Sequence, residues 1–554
     1  MRSGGNVLVE ALAINGVDTV FCVPGESYLD VLDALYERRE RMRVITCRQE
    51  GGATFMAEAH AKLSGRPGIA FVTRGPGATN ASIGVHTAFQ DSTPLLLFVG
   101  QVDRDALGRE AFQEIDVRAM FAPIAKAVIE IERAHRIPEI VSRAFALALS
   151  GRPGPVVISL PEDVLTERVD VADAPAAQAA QAGVDGAALA RLAELLRDAQ
   201  RPIAIVGGSL WDAASCAQLQ RFAEQNVLPV VCAYRRQDLF DNRHPLYCGD
   251  ASLGIYPDLV ARLRDADLIL AIGTRLGDIT SGGYTYFDVP RPQQKLVHVH
   301  ASGDELGRVY QADLAINAGV RAFAAAAATL TVEAAHRRAW AADAQRAYVA
   351  DRAAGRTVER VDMRAVILDL SERLPKNAIV TVGAGNYTQW VHRYFQYTQF
   401  GTALGPTSGA MGYSVPAGIA AKLRHPDRTV VSFAGDGCFL MTGQELATAV
   451  RYGLAVTFLI VNNGMYGTIR MHQERNYPER ISSTDLTNPD FAALARAYGA
   501  FGETVRTTTE FAAAFERATA FGGPALLDLE VDPAAITSRT SIEDIRSRSA
   551  ARST

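Results

Sequence analysis

Short runs of β-branched and other apolar residues alternate along the chain with longer Ala- and Leu-rich stretches whose apolar residues recur at helical spacing. Parallel sheets covered by helices on both faces have this appearance, because a strand buried on both sides needs no polar alternation. The pattern predicts strands at 69–73, 95–99, 156–159, 203–206, 268–272, 297–300, 430–433 and 456–461, and an α/β fold class. Two stretches lose the rhythm. Residues 170–185, nearly all Ala, Gln, Val and Gly, read as a linker, and 331–360, rich in Ala, Arg and Glu, as a helix plus connection. They divide the chain into three domains at 1–170, 185–330 and 355–540, each a doubly wound parallel sheet, and the tail SRSAARST is predicted to be disordered.

A chain of 554 residues exceeds what one hydrophobic core supports, in keeping with three domains. The formal net charge is −5, with 56 basic and 61 acidic residues interspersed and no long basic run. That pattern argues against nucleic acid or an anionic membrane and for a small-molecule partner. The six cysteines, Cys22, Cys47, Cys216, Cys232, Cys248 and Cys438, are scattered and form no C-x-x-C pair, as expected for reduced thiols in the cytoplasm. The start does not read as a signal peptide, and no apolar run is long enough to predict a membrane span.

The most informative segment runs from Thr429 to Gly467, TVVSFAGDGCFLMTGQELATAVRYGLAVTFLIVNNGMYG. It reads as a buried strand, a Gly-Asp-Gly turn, one amphipathic helix, a second buried strand, and then Asn-Asn-Gly. Both strands of a parallel pair end at the same carboxyl edge, where such folds bind ligands. Gly435 and Gly437 let the backbone approach a ligand, while Asp436 and Asn463 offer hard oxygens to one hard cation. Mg²⁺ suits that set, with a backbone carbonyl near Met465, two diphosphate oxygens and water completing it. The helix opening after Gly437 is expected to aim its amides at the same anion. A Gly-Asp-Gly alone is an ordinary turn, and it is the pairing with Asn-Asn at the next strand end that carries the signal.

That pairing resembles the signature of thiamine-diphosphate enzymes. Over nearly the whole chain the closest resemblance is to acetohydroxyacid (acetolactate) synthase and its pyruvate-oxidase-like relatives. The resemblance implies a pyrimidine-binding first domain, a central Rossmann-like domain and a diphosphate-binding third domain. RQEGGATFMAEAHAKLSG is similar to the segment carrying the family's activating glutamate and places that role on Glu50. A carboxyl beside the aminopyrimidine N1′ favours the imino tautomer that removes the C2 proton, so Glu50 is expected in a poorly solvated pocket. From the residues alone, Glu50 is an acid before two glycines, with a surface role. TRGPGATN resembles the cofactor-contacting loop, with Pro76 and Asn80, and EAFQEID puts Phe112 and Gln113 where the family lines its active site. GPTSGAMGYSVPAGIAA resembles the loop that bends the cofactor: Met411 is the implied wedge between its rings, and the Gly409 carbonyl the implied acceptor of the 4′-amino group. GAGNYTQW resembles a diphosphate-contacting loop with Asn386 and Tyr387, and Cys438 follows the metal turn. Because Glu50 and the metal motif fall in different domains, the resemblance implies active sites between subunits of a homodimer or homotetramer.

Several residues depart from the synthases. Their middle domain carries an Arg-x-Asp-Asp-Arg stretch, but here TRLGDIT keeps Arg275 and puts Ile279 at the second arginine. His472 falls where the family has a tryptophan that tunes acceptor size. Glu26, in VPGESYLDVLDAL, stands at a glycine of the synthases and is either a second acid/base or an acid at a helix N-terminus. Arg74 replaces a serine and reads either as a solvated surface arginine or as a reader of a substrate carboxylate. His86, on the helix beyond, reads as a structural histidine. In the middle domain RPIAIVGGSLWD is strand, Gly-Gly and helix start, and FAD is a candidate ligand there on two glycines without the full fingerprint.

The function these readings imply is a thiamine-diphosphate- and Mg²⁺-dependent decarboxylase or carboligase acting on a 2-oxo acid, acetolactate-synthase-like. Hydrolytic C–C cleavage of a diketone by the same cofactor is the alternative within enzymes. A non-catalytic cofactor-binding regulatory homologue is the alternative outside them.

Overall fold

The computed structural model describes every residue except Thr357, Glu359 and Thr554, and only the backbone of residues 550–553. Among the described residues it contains three six-stranded sheets, and every strand pairing within them is parallel. The first runs in the order Arg43–Thr46, Thr19–Cys22, Gly68–Val72, Leu95–Gln101, Pro155–Pro161, Ala127–Glu130. The second runs Tyr247–Ala251, Val230–Ala233, Pro202–Val206, Leu268–Ile272, Lys295–His300, Leu314–Asn317. The third runs Ala403–Leu404, Ile379–Val382, Val430–Gly435, Val456–Asn462, Ala525–Glu530, Phe501–Val505. Each chain reversal in strand order leaves a crevice at a carboxyl edge, the usual ligand position in open α/β sheets.

The chain forms two compact units, residues 1–180 with 419–424 and residues 181–418 with 425–554. In the first unit the Leu95–Gln101 strand is buried at all seven positions, which is why it reads as an unbroken apolar run. Each such Leu, Val or Phe contributes about 1.5–3 kcal/mol by leaving water. In the second unit, the central sheet and its helices share one apolar core, and the third sheet has its own, built around Val431, Phe433, Leu459 and Leu527. Residues 170–185 carry no helix or strand, as the linker reading expects, and 338–353 form the helix expected within 331–360.

Three expectations fail. The single helix after Gly-Asp-Gly is three pieces: Asp436–Phe439, a 3₁₀ turn Gly443–Glu445, and Leu446–Arg451. The break comes at Thr442, non-helical at φ −141° and ψ 15°, whose hydroxyl donates to the Gly412 carbonyl at 2.6 Å instead of capping a helix. TRGPGATN is no loop, since Gly75 already opens the helix Gly75–Asp91 with a proline in its first turn. The tail is a helix, Ile542–Ser553, not a disordered segment. Its Ile545 is buried against Ile536 and Met471, and Arg546 donates two hydrogen bonds to Glu474, at 2.8 and 2.7 Å. Thr554 lies outside the described residues.

Candidate active site

At the carboxyl edge of the third sheet, Asp436 follows directly on the Val430–Gly435 strand and is the first residue of the four-residue helix Asp436–Phe439. Asp436 is 3 % exposed. Oδ1 accepts from the Gly437 N–H, and Oδ2 from the Gly464 N–H and from Asn488 Nδ2, all at 2.8 Å. Burial pushes its pKa above the ordinary carboxylate value, against the pull of those donors. Gly437 has no room for a side chain, because a Cβ there would lie 2.6 Å from the Tyr466 ring. The parallel register sets Gly435 beside Val461, so the Val456–Asn462 strand delivers Asn463 to the same edge. Asn463 Oδ1 accepts from the Met465 N–H at 3.2 Å.

These residues open on a cavity of about 470 Å³. Gly435, Asp436, Gly437, Cys438, Asn463 and Met465 line it from one side, and Asn386, Tyr387, Gly409 and Met411 from the other. The loop carrying Met411 is pinned from beneath, where the Gly412 N–H donates to Cys438 Sγ at 3.1 Å. Met411 is half-buried, packing on the core of the third sheet while also lining the cavity. Gly409 is exposed in a left-handed conformation, φ +69°.

Two candidates are occupied differently from their expected role. Tyr387 presents its ring to the cavity, but its hydroxyl points inward, accepting from the Gly383 N–H at 2.8 Å and donating to the Phe433 carbonyl at 3.2 Å. Asn386 Nδ2 donates to the Ile536 carbonyl at 3.1 Å, tying the C-terminal segment to the cavity wall. Ile536, Thr537, Thr540 and Ser541 complete that wall. Neither they nor Asn488 stand out in the sequence. Asn488 precedes Pro489 and looks like a turn residue, and only the fold brings it to Asp436. His472 is exposed on the helix Gly467–Asn476 and does not line the cavity, whereas Ile469 does. Burial and the nearby Arg475 lower the His472 pKa.

In the first unit Glu50 is the first residue of the helix Glu50–Ser64, because the Gln49 side chain caps it by accepting from the Gly52 N–H at 3.1 Å. Its side chain is buried, not on the surface, and Asn80 Nδ2 donates to Oε2 at 2.9 Å. Asn80 and Pro76 themselves are exposed. Gln113 holds a left-handed φ of +63°, and its carbonyl accepts from the Gly75 N–H at 2.8 Å. Phe112 is 75 % exposed. Arg74 corrects the surface reading: it is buried, with Nη1 donating to Glu26 at 3.2 Å and Nη2 to Glu162 at 2.5 Å. A guanidinium already facing two carboxylates is poorly suited to read a third. Glu26 opens a three-residue 3₁₀ turn and is more than half exposed, and His86 is exposed too, so it is no core histidine.

In the central sheet, Gly207 and Gly208 follow the Pro202–Val206 strand, but packing accounts for them. A Cβ at Gly208 would lie 2.1 Å from the Gly273 carbonyl oxygen, and one at Gly273 would lie 2.6 Å from that of Gly207. Arg275 and Ile279, beyond the neighbouring strand, are both partly buried. All six cysteines are free thiols, and among the described residues no helix is long and apolar enough to cross a membrane.

Three parallel sheets and a Gly-Asp-Gly edge facing an Asn-Asn edge define a class, and comparison with known proteins agrees with it. Residues 2–120 match the family model described as the thiamine pyrophosphate enzyme N-terminal TPP binding domain, 189–327 its central domain, and 383–529 its C-terminal TPP binding domain. The chain belongs to the thiamine pyrophosphate (thiamine diphosphate) enzyme family. It is 33 % identical to the acetolactate synthase large subunit of Parasynechococcus marenigrum, covering 96 % of this chain and 87 % of that one. It is 30 % identical to the large subunit of acetolactate synthase isozyme 2 of Escherichia coli, covering 96 % of each, and 34 % identical to the Lactococcus lactis large subunit, covering 90 % and 87 %.

Proposed function

We propose that this protein is a thiamine-diphosphate- and Mg²⁺-dependent decarboxylase or carboligase acting on a 2-oxo acid, with chemistry like that of acetolactate synthase. The observation that carries the reading is the buried Asp436 carboxylate on a cavity that Asn463 and Met465 also line. A carboxylate, an amide oxygen and a backbone carbonyl are the hard donors that Mg²⁺ takes together with diphosphate oxygens. A buried carboxylate whose charge is disfavoured gains most from a cation beside it. Thiamine diphosphate, when bound, supplies a C2 carbanion to a substrate carbonyl. Glu50, which accepts a hydrogen bond from Asn80, would hold the proton at the pyrimidine N1′. Met411 would support the cofactor's rings, the Gly409 carbonyl would accept from its amino group, and the wall from Tyr387 to Ile536 would exclude water. Gln113 and Glu26 would face the reacting carbon, with Glu26 the proton carrier and Arg74 hydrogen-bonded to it.

The domains are 1–170, 185–330 and 355–540, and the enzyme works in the cytoplasm as a homodimer or homotetramer with active sites between subunits. No nucleic acid or membrane takes part. FAD is the candidate ligand of the central domain, although packing also accounts for its glycines: a Cβ at Gly207 would lie 2.7 Å from Ala233 Cβ, and one at Gly208 2.1 Å from the Gly273 oxygen. A flavin absorption band in the purified protein tests it. A second reading, hydrolytic cleavage of a diketone, draws support from Ile279 standing in place of a carboxylate-reading arginine. Product analysis of the protein with Mg²⁺, thiamine diphosphate and pyruvate, then with diketones, decides. CO₂ and acetolactate from pyruvate are expected, and carboxylic acids released only from diketones would move the assignment to the hydrolase.

A further inference from the structure

Arg235 follows the Val230–Ala233 strand at the carboxyl edge of the central sheet. It is 4 % exposed and adopts a left-handed φ of +61°, a conformation that costs a non-glycine residue energy and is kept where the surroundings enforce it. Its Nε and Nη1 are buried with no hydrogen-bond partner, and among the described residues no carboxylate lies within 4.0 Å of it. The closest acid in sequence, Asp238, is engaged elsewhere: Oδ2 accepts from the Gly401 and Thr402 amides at 2.9 and 3.3 Å, and Oδ1 lies 4.0 Å from Arg236. The guanidinium lies over the Tyr234 ring at 4.8 Å and against Gly405, where a Cβ would come within 2.9 Å of Nη1. A cation–π contact offsets only part of the cost of burying a charge, and an arginine does not escape by losing its proton.

A second polar side chain near Tyr234 also lacks a partner. His392, with its ring edge-on to Tyr234 at 6.0 Å, has its Nδ1 buried and unsatisfied. Burial, and then the charge of Arg235, push its pKa down to about 3, so the ring is neutral and free to donate one N–H. Neither residue lines the cavity beside Asp436.

We propose that Arg235 and His392 form a separate anion-binding site, which takes the carboxylate or phosphate group of a small molecule at the carboxyl edge of the central sheet. An oxyanion there would satisfy the guanidinium's fork of donors and the imidazole N–H together. The site is independent of the cofactor reading.

The test uses the holoenzyme saturated with Mg²⁺ and thiamine diphosphate, so that the diphosphate position is filled. Calorimetric and thermal-shift titrations are run with inorganic phosphate and, separately, with malonate. One probe is expected to bind one-to-one and raise the Tm with concentration, and which of the two binds tighter assigns the source of the anion. Arg235→Met should weaken that binding at least tenfold, His392→Gln severalfold, and Arg235→Lys, which keeps the charge but loses the fork, by an intermediate factor. Binding of neither probe at millimolar concentration overturns the proposal, as does wild-type affinity in Arg235→Met. If Arg235→Met fails to fold, unchanged affinity in both Arg235→Lys and His392→Gln overturns it instead.

Discussion

Two buried carboxylates carry the proposed chemistry, and their surroundings differ. Asp436, at the edge of the third sheet, takes three hydrogen bonds at 2.8 Å, two of them from backbone amides. Glu50, at the head of its helix, has one side-chain hydrogen bond among the described residues, from the flexible amide of Asn80. A carboxylate held by three donors keeps its orientation and suits a fixed ligand for a cation. One with open lone pairs suits a group that must exchange a proton with a partner.

The strongest way to break this contrast is at Glu50. Glu50→Gln keeps shape and burial but removes the ionisable oxygen, so kcat is expected to fall about 10³-fold with thiamine diphosphate affinity little changed. Deuterium exchange at C2, followed by NMR, checks it, and undiminished exchange would sink the assignment. At the other carboxylate, Asp436→Ala should weaken Mg²⁺ binding by more than about 100-fold, read by calorimetry in the presence of the cofactor. Asn488→Ala probes the pinning itself. Losing its donated bond should cost roughly 10–100-fold in Mg²⁺ affinity, and a Tm loss with unchanged Mg²⁺ affinity would make Asn488 merely structural. Asn80→Ala, which frees Glu50 without removing it, should lower kcat only about tenfold.

A third carboxylate sharpens the comparison through pH. Glu474 is buried, and hydrogen bonds from Arg546, with help from the Glu479 amide and Arg470, lower its pKa to about 2. Because the folded group ionises below the unfolded one, its stabilisation is complete above pH 4.5 and is lost as the pH falls toward 2. About 2 kcal/mol is expected, discounted because Arg546 is partly exposed. Denaturant titrations across that range should show the loss in the wild-type protein and not in Glu474→Gln.

Much of the fold was legible because strands such as 95–101 and 456–462 are apolar at nearly every position. Thr19–Cys22 and Ile379–Val382 each carry a threonine that breaks a short apolar run, and Ala525–Glu530 hid behind Asp528, a buried acid within a strand. Burial raises the pKa of Asp528 to about 6. Asp436 and Asn463 could be placed because one strand-turn-strand unit holds both. Asn488, Ile536 and Arg235 could not, since each reaches its place through contacts distant in sequence, and the partners of Arg74 lie at positions 26 and 162.

The glycine contact in the central sheet has an evolutionary consequence. Gly208 and Gly273 both sit at positive φ, at +78° and +71°, and the two strand ends touch through backbone atoms where each would need room for a methyl group. A first substitution at either site therefore meets the clash whatever stands at the other. Drift can replace one only after the strand ends have moved apart. A descendant chain lacking either glycine thus marks a central domain that has been rebuilt.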